Sequence, residues 1–203
     1  MKRIPFALLS ISLAGMLSLG GCGGSSSADG GQLTPATDQT QTDSAQSDTA
    51  QAGVLSQFSA TDLDGNTVDQ SMLADYDLTM VNVWATFCSP CINEMPDLGE
   101  LAQEYADRNV QIIGMVSDVL NTDGSINEEQ VQTARDIVAQ TGANYTHLLP
   151  SDDLLGVLSQ ISYVPTTFFV DSEGTQVGSA IVSAQSKEQW EQTIDQMLSE
   201  VQA

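Results

Sequence analysis

The feature that most restricts the fold is the run Leu78-Thr79-Met80-Val81-Asn82-Val83-Trp84, followed after Ala85-Thr86-Phe87 by Cys88-Ser89-Pro90-Cys91. A mostly apolar stretch of that length reads as a buried strand, and a helix is expected from the cysteines to about Ala106. The two thiols therefore stand where a strand gives way to a helix. Cysteines at this spacing, at a helix start, can close a small disulfide ring. The first sulfur then lies near unpaired backbone N–H groups and the positive end of the helix dipole, which lowers its pKa and makes Cys88 the candidate nucleophile. Cys91, one turn deeper and more buried, is the candidate resolving thiol. Pro90 suits the first turn, because the N–H it lacks would be unpaired there.

Strands and helices alternate through the rest of the chain. Leu55 to Leu63 reads as a strand, and Asp64-Gly65-Asn66 is a turn signal leading to a second short strand at Thr67-Val68, which predicts an N-terminal β-hairpin. Val110 to Val116 is rich in Val and Ile like a central strand. Glu128 to Thr141 has helical spacing through Val131, Ala134, Ile137 and Val138 and is closed by Gly142. A short strand at Tyr145 to Leu149 and a brief helix at Asp153 to Gln160 lead to a β-like run from Val164 to Asp171. Glu173-Gly174 turns the chain into a strand at Gln176 to Val182. A last helix, Lys187 to Val201, directs Trp190, Ile194, Met197 and Leu198 inward. This pattern predicts an α/β fold with a mixed central sheet flanked by helices and at least one parallel crossover.

A chain of 203 residues has room for one ordinary domain plus attachments. Lys2 and Arg3 precede an apolar stretch from Ile4 to Leu19 that is too short and too rich in Ser and Gly for a membrane span, and reads as a leader over residues 1–21. It ends in Leu19-Gly20-Gly21-Cys22, which resembles the cleavage and lipidation signal of bacterial lipoproteins. That resemblance implies a lipid on Cys22, an anchor in the cell membrane and an extracytoplasmic location. Of the three cysteines, assigning Cys22 to lipid leaves one pair and no orphan thiol in an oxidising compartment. Residues 22–52 carry almost no large apolar side chain beyond this point and read as a flexible tether, with the folded domain at 53–203. The net charge of −22 repels phosphate backbones and excludes nucleic-acid binding through a basic patch.

The segment from Trp84 through Cys88-Ser89-Pro90-Cys91 to Ile92-Asn93-Glu94-Met95-Pro96 resembles the thioredoxin superfamily, and more narrowly its membrane-tethered TlpA/ResA branch of AhpC/TSA-type redoxins. The resemblance extends over nearly all of residues 54–200, through Val116-Ser117-Asp118 and Val164-Pro165-Thr166-Thr167-Phe168. It implies a thioredoxin-like fold with a hairpin extension and a thiol-disulfide oxidoreductase whose cofactor is its own dithiol. It also implies that Pro165 is cis beside the disulfide, that the backbone of Val164 pairs with an extended substrate segment, and that electrons come from a membrane donor of the CcdA/DsbD kind to disulfide-containing extracytoplasmic partner proteins. Reduction is the expected direction, with disulfide formation the alternative. Asn82 stands where cytoplasmic thioredoxins carry a buried acid, and an amide cannot take a proton from the resolving thiol. Glu94, three residues after Cys91 and so on the same helix face, is the expected substitute as proton relay; the competing reading is a solvated carboxylate.

Trp84 and Phe87 are candidates to line the groove beside Cys88, although aromatics at a strand end are as readily core. Trp190 reads as a core anchor and His147 as an edge residue rather than a catalyst. A peroxiredoxin-like peroxidase is the nearest rival, but Val81 and Ala85 stand where its pattern wants Pro and Thr. One Cys-x-x-Cys with one His cannot supply the four ligands of a sulfur-rich zinc site, so no metal is expected.

Overall fold

The computed structural model describes residues 53–203; the leader expected over residues 1–21, the expected lipidation site at Cys22 and the expected tether lie outside the described residues. Strands β1 (Ser59–Thr61) and β2 (Thr67–Asp69) form a small antiparallel sheet. A five-stranded sheet follows, built from β3 (Leu78–Trp84), β4 (Val110–Val116), β5 (His147–Leu148), β6 (Thr166–Val170) and β7 (Gln176–Val182) in the order β5-β4-β3-β6-β7. Helices α1 (Ser89–Glu104), α2 (Glu128–Thr141), α3 (Asp152–Leu158) and α4 (Lys187–Val201) complete it. The crossover through α1 makes β3 and β4 parallel, α2 does the same for β4 and β5, and β6 and β7 run antiparallel. This is the mixed sheet that the alternation predicted.

Every residue of β3 is buried because both of its faces are covered. Met80 and Trp84 point to the side packed by α1, α2 and α4, where Leu98, Leu101, Trp190 and Ile194 sit. Val81 and Val83 point to the other side, under Leu154 of α3 and Leu55, Phe58 and Leu73 from the N-terminal segment. The period of two along an extended chain produces this division. Among the described residues no helix is long and apolar enough to cross a membrane.

The hairpin is present, but the strand predicted over Leu55 to Leu63 shrinks to Ser59–Thr61. Leu55 donates its N–H to Gly174 O at 3.0 Å and Phe58 donates to Gln70 Oε1 at 3.2 Å, so neither joins a ladder even though both side chains enter the core. The turn is organised by Asp62, whose carboxylate accepts from Asp64 N, Asn66 N and Asn66 Nδ2 while Gly65 takes φ of +88°. The hairpin docks on the edge of the main sheet through Leu63 N to His147 O (2.9 Å) and Leu149 N to Thr61 O (2.8 Å).

Across the sheet Asn82 of β3 pairs with Gly114 of β4, which pairs with His147 of β5. Gly114 has no side chain to stand in that row, and the His147 ring occupies the space: a Cβ placed there would collide with His147 Nδ1 and Cε1. Gly114→Ala is expected to displace the ring and destabilise the domain by about 1–3 kcal/mol, the usual cost of overpacking. Urea unfolding checks it, and a variant as stable as wild type would mean that the ring has room to move.

Candidate active site

The first turn of α1 forms on Cys88. Its N–H donates to Ala85 O at 3.0 Å, closing a turn out of β3, and its backbone is extended, as a cap requires. The Cys88 sulfur accepts from Cys91 N at 3.3 Å, one of the N–H groups that a helix start leaves unpaired. Cys88 and Cys91 are joined as a disulfide, with Cα atoms 5.3 Å apart. Cys88 retains 5% exposure and Cys91 none, so an incoming partner meets the Cys88 sulfur first. Pro90 lies in the first turn.

Glu94 is not a solvated carboxylate. It is 3% exposed, and three N–H donors from three parts of the chain converge on it. Asn82 Nδ2 of β3 donates to Oε1 at 3.0 Å, while Gln185 N (3.1 Å) and Trp190 Nε1 of α4 (3.2 Å) donate to Oε2. Burial nevertheless outweighs these donors and raises its pKa above the usual 4.5, with the charge of Asp97 adding to the rise. Asn82 Nδ2 also donates to Thr167 Oγ1 of β6, so the amide ties the carboxyl to the sheet.

Trp84 does not line a groove. It is fully buried, and its indole N–H donates to His147 Nδ1 at 3.1 Å, leaving it no surface for a substrate. His147 is on an edge strand as expected, yet it is only 3% exposed. An indole nitrogen only donates, so Nδ1 must be the acceptor and Nε2–H must donate to Ala143 O at 3.0 Å. Burial pushes its pKa down to about 4, which keeps this tautomer neutral. Tyr145 stacks on its other face at 4.4 Å. With both nitrogens engaged, His147 is structural.

The Val164–Pro165 peptide is cis. Val164 packs against the cluster that holds Cys88 and Cys91, and with Phe87, Ser117, Leu158, Ile161 and Tyr163 it lines a groove of about 300 Å³ beside the cysteine turn. Phe87 and Tyr163 stand at 76% and 74% exposure, so Phe87 faces solvent here while Trp84 belongs to the core. Among the described residues no three His, Cys, Asp or Glu side chains are grouped to hold a metal ion. Two features escaped sequence reasoning: the donation of Trp190 to Glu94, and a hydrogen-bonded knot of Thr86, Asp118 and Gln130 next to the cysteine turn. Val116-Ser117-Asp118 was visible as a motif, but nothing local tied it to Thr86.

Residues 53–177 match the AhpC/TSA family, more than half of the chain. The chain belongs to that family. Among curated relatives, it is 29% identical over 134 residues to the thiol-disulfide oxidoreductase ResA of Bacillus anthracis, covering 66% of this chain and 70% of that protein. It is 31% identical over 116 residues to the thioredoxin-like protein YneN of Bacillus subtilis, covering 57% and 62%. Among solved structures, a thioredoxin-family thiol:disulfide interchange protein from Chlorobium tepidum superposes with a TM-score of 0.58 at 23% identity, covering 70% of this chain and 93% of that one. A secreted Mycobacterium tuberculosis disulfide oxidoreductase homologous to E. coli DsbE gives a TM-score of 0.52 at 21% identity, covering 71% and 96%. The fold is thioredoxin-like and the protein is a thiol-disulfide oxidoreductase.

The raised pKa of Glu94 has a defined effect on stability. The unfolded chain ionises this group near 4.5 and the folded chain resists until higher pH, so its contribution is full below 4.5 and is lost as pH rises through the folded value. His147 acts in the opposite sense, its contribution being full above 6.5 and lost as pH falls through about 4. Comparison with Glu94→Gln isolates the glutamate: the stability of wild type relative to the variant should decline as pH rises from about 4.5 through the raised folded-state pKa. Urea unfolding across that range checks it, and a constant difference would place the Glu94 pKa at its ordinary value.

Proposed function

We propose that the protein is a membrane-anchored, extracytoplasmic reductase of disulfides in partner proteins, held by lipid on Cys22 and recharged by a membrane donor of the CcdA/DsbD type. The observation that carries the reading is the asymmetry of the dithiol: Cys88, at a helix start, keeps a small exposed edge, whereas Cys91 is sealed in the core with the buried Glu94 one turn further along α1.

In the reduced protein the Cys88 thiolate, stabilised by the N–H groups of α1, attacks one sulfur of a partner disulfide. A mixed disulfide forms and a partner thiolate leaves. Glu94, whose burial raises its pKa above the ordinary carboxylate value and so makes it a stronger base, takes the proton of Cys91. The Cys91 thiolate then attacks Cys88 Sγ, the intermolecular bond breaks and the second partner thiolate is released. The partner gains two electrons, and Cys88–Cys91 returns to the disulfide seen in the structure. Two electrons from the membrane donor restore the dithiol. The groove beside Val164, rimmed by Phe87 and Tyr163, is the surface along which an extended partner segment would lie.

The reduction potential of the couple, measured by equilibrating residues 53–203 in dithiothreitol or glutathione buffers, tests the direction. A value below about −230 mV is expected for a reductase, whereas one near about −120 mV would make the protein a disulfide-forming oxidase. Cys91→Ser should accumulate mixed disulfides at Cys88 with extracytoplasmic proteins. A variant that traps none would remove the exchange mechanism.

A further inference from the structure

The turn that presents Cys88 is tied down from outside. Thr86 donates its backbone N–H to both oxygens of Asp118, at 3.1 and 3.0 Å, and its hydroxyl to Oδ2 at 2.6 Å. Gln130, in the first turn of α2, donates Nε2 to the same Oδ2 at 3.1 Å and also contacts Thr86 Oγ1. Ser117, the residue before, donates both its N–H and its hydroxyl to Trp84 O at 2.9 Å. The loop after β4 thus grips the chain on the segment between β3 and the nucleophile, and Cys88 N–H closes the same turn onto Ala85.

We propose that Asp118 is a positioning residue that fixes the Cys88 turn and, through its charge, keeps the Cys88–Cys91 couple reducing. The inference rests on the thiol-exchange reading above and adds what sets its direction. All the donors to Asp118 are neutral, so its negative charge is not cancelled locally. The neighbouring elements carry further acidic groups, Glu94, Asp97, Glu100 and Glu104 on α1, Asp123 in the loop after β4, and Glu128, Glu129 and Asp136 on α2, but Asp118 is the carboxylate that hydrogen-bonds Thr86. The cations of the described residues are engaged elsewhere: Arg108 with Asp195, Lys187 with Glu100 and Glu104, and Arg135 with Leu63 O.

A fixed carboxylate beside the turn disfavours the Cys88 thiolate. Reduction of the disulfide adds two electrons and creates that thiolate, whereas the disulfide itself carries no charge. A negative neighbour therefore penalises the reduced form and lowers the potential, opposing the α1 dipole. The helix start makes Cys88 reactive, and Asp118 prevents it from becoming an oxidant.

The test compares Asp118→Asn, which removes the charge but keeps an acceptor for Thr86, with Asp118→Glu, which keeps the charge. Asp118→Asn should lower the Cys88 pKa by about half a unit to one unit, read from the pH dependence of alkylation. It should also shift the equilibrium with dithiothreitol toward the dithiol by up to about tenfold, equivalent to about 30 mV. Asp118→Glu should stay near wild type on both readings. Gln130→Lys leaves Asp118 in place and puts a cation against it, so it should move both readings in the direction of Asp118→Asn and serves should that variant fail to fold. Unchanged pKa and potential in Asp118→Asn and Gln130→Lys, or equal shifts in Asp118→Asn and Asp118→Glu, would overturn the role of charge. A wild-type couple that exchanges no electrons with the buffer would instead overturn the functional reading on which the inference rests.

Discussion

The Glu94 carboxyl group, buried and held by three N–H donors, is the interaction on which the site depends. Those donors come from β3, from the segment before α4 and from α4 itself, so the carboxyl cannot be seated until the sheet, α1 and the C-terminal helix have packed. Removing that carboxyl inside a low-dielectric core leaves its donors without their acceptor, at a cost that exceeds that of losing an ordinary surface hydrogen bond. The burial that makes Glu94 structurally demanding also raises its pKa, and a raised pKa is what a proton acceptor for a buried thiol needs.

Around that centre the domain sorts its polar groups by role. Asn82 replaces an acid in the middle strand and becomes a linker, joining Glu94 to Thr167 across two strands. Trp84, His147 and Tyr145 form a separate aromatic cluster beside Gly114, Tyr145 stacked on the imidazole and Trp84 edge-on to it, with the histidine held neutral between an indole donor and a backbone carbonyl. On the nucleophile side, α1 supplies N–H groups to Cys88 while Ser117 and Asp118 hold the chain that leads into it. Reactivity and restraint thus come from different elements: one from the start of a helix, the other from a loop at the end of β4.

The elements that were legible are those whose signal is local. β3, β4, β7, α2 and α4 have the boundaries that periodicity and caps predicted, and Gly142 closes α2 with φ of +72°. β1 was overextended because Leu55 and Phe58 look like strand residues by side chain, while their N–H groups bond to Gly174 and Gln70. Trp84 was assigned to the groove because an aromatic at a strand end fits groove or core equally well; its partner His147 is 63 residues away. The solvated reading of Glu94 failed for the same reason, since Trp190, which helps enclose it, lies 96 residues on.

Sequence by itself determined the chemistry and the frame: a buried strand feeding a helix that opens on Cys-x-x-Cys, a parallel crossover, a proline before β6 and an acidic chain with no basic patch. These follow from spacing, side-chain polarity and backbone preference, which act over a few residues. Tertiary structure decided which polar groups lose water. Burial made Glu94 a candidate relay, made His147 inert and took Trp84 out of the groove. It also brought Asp118 onto the turn of Cys88, 32 residues away from Thr86 in sequence. Desolvation and long-range hydrogen bonding depend on what packs against a residue, and only the folded chain supplies that.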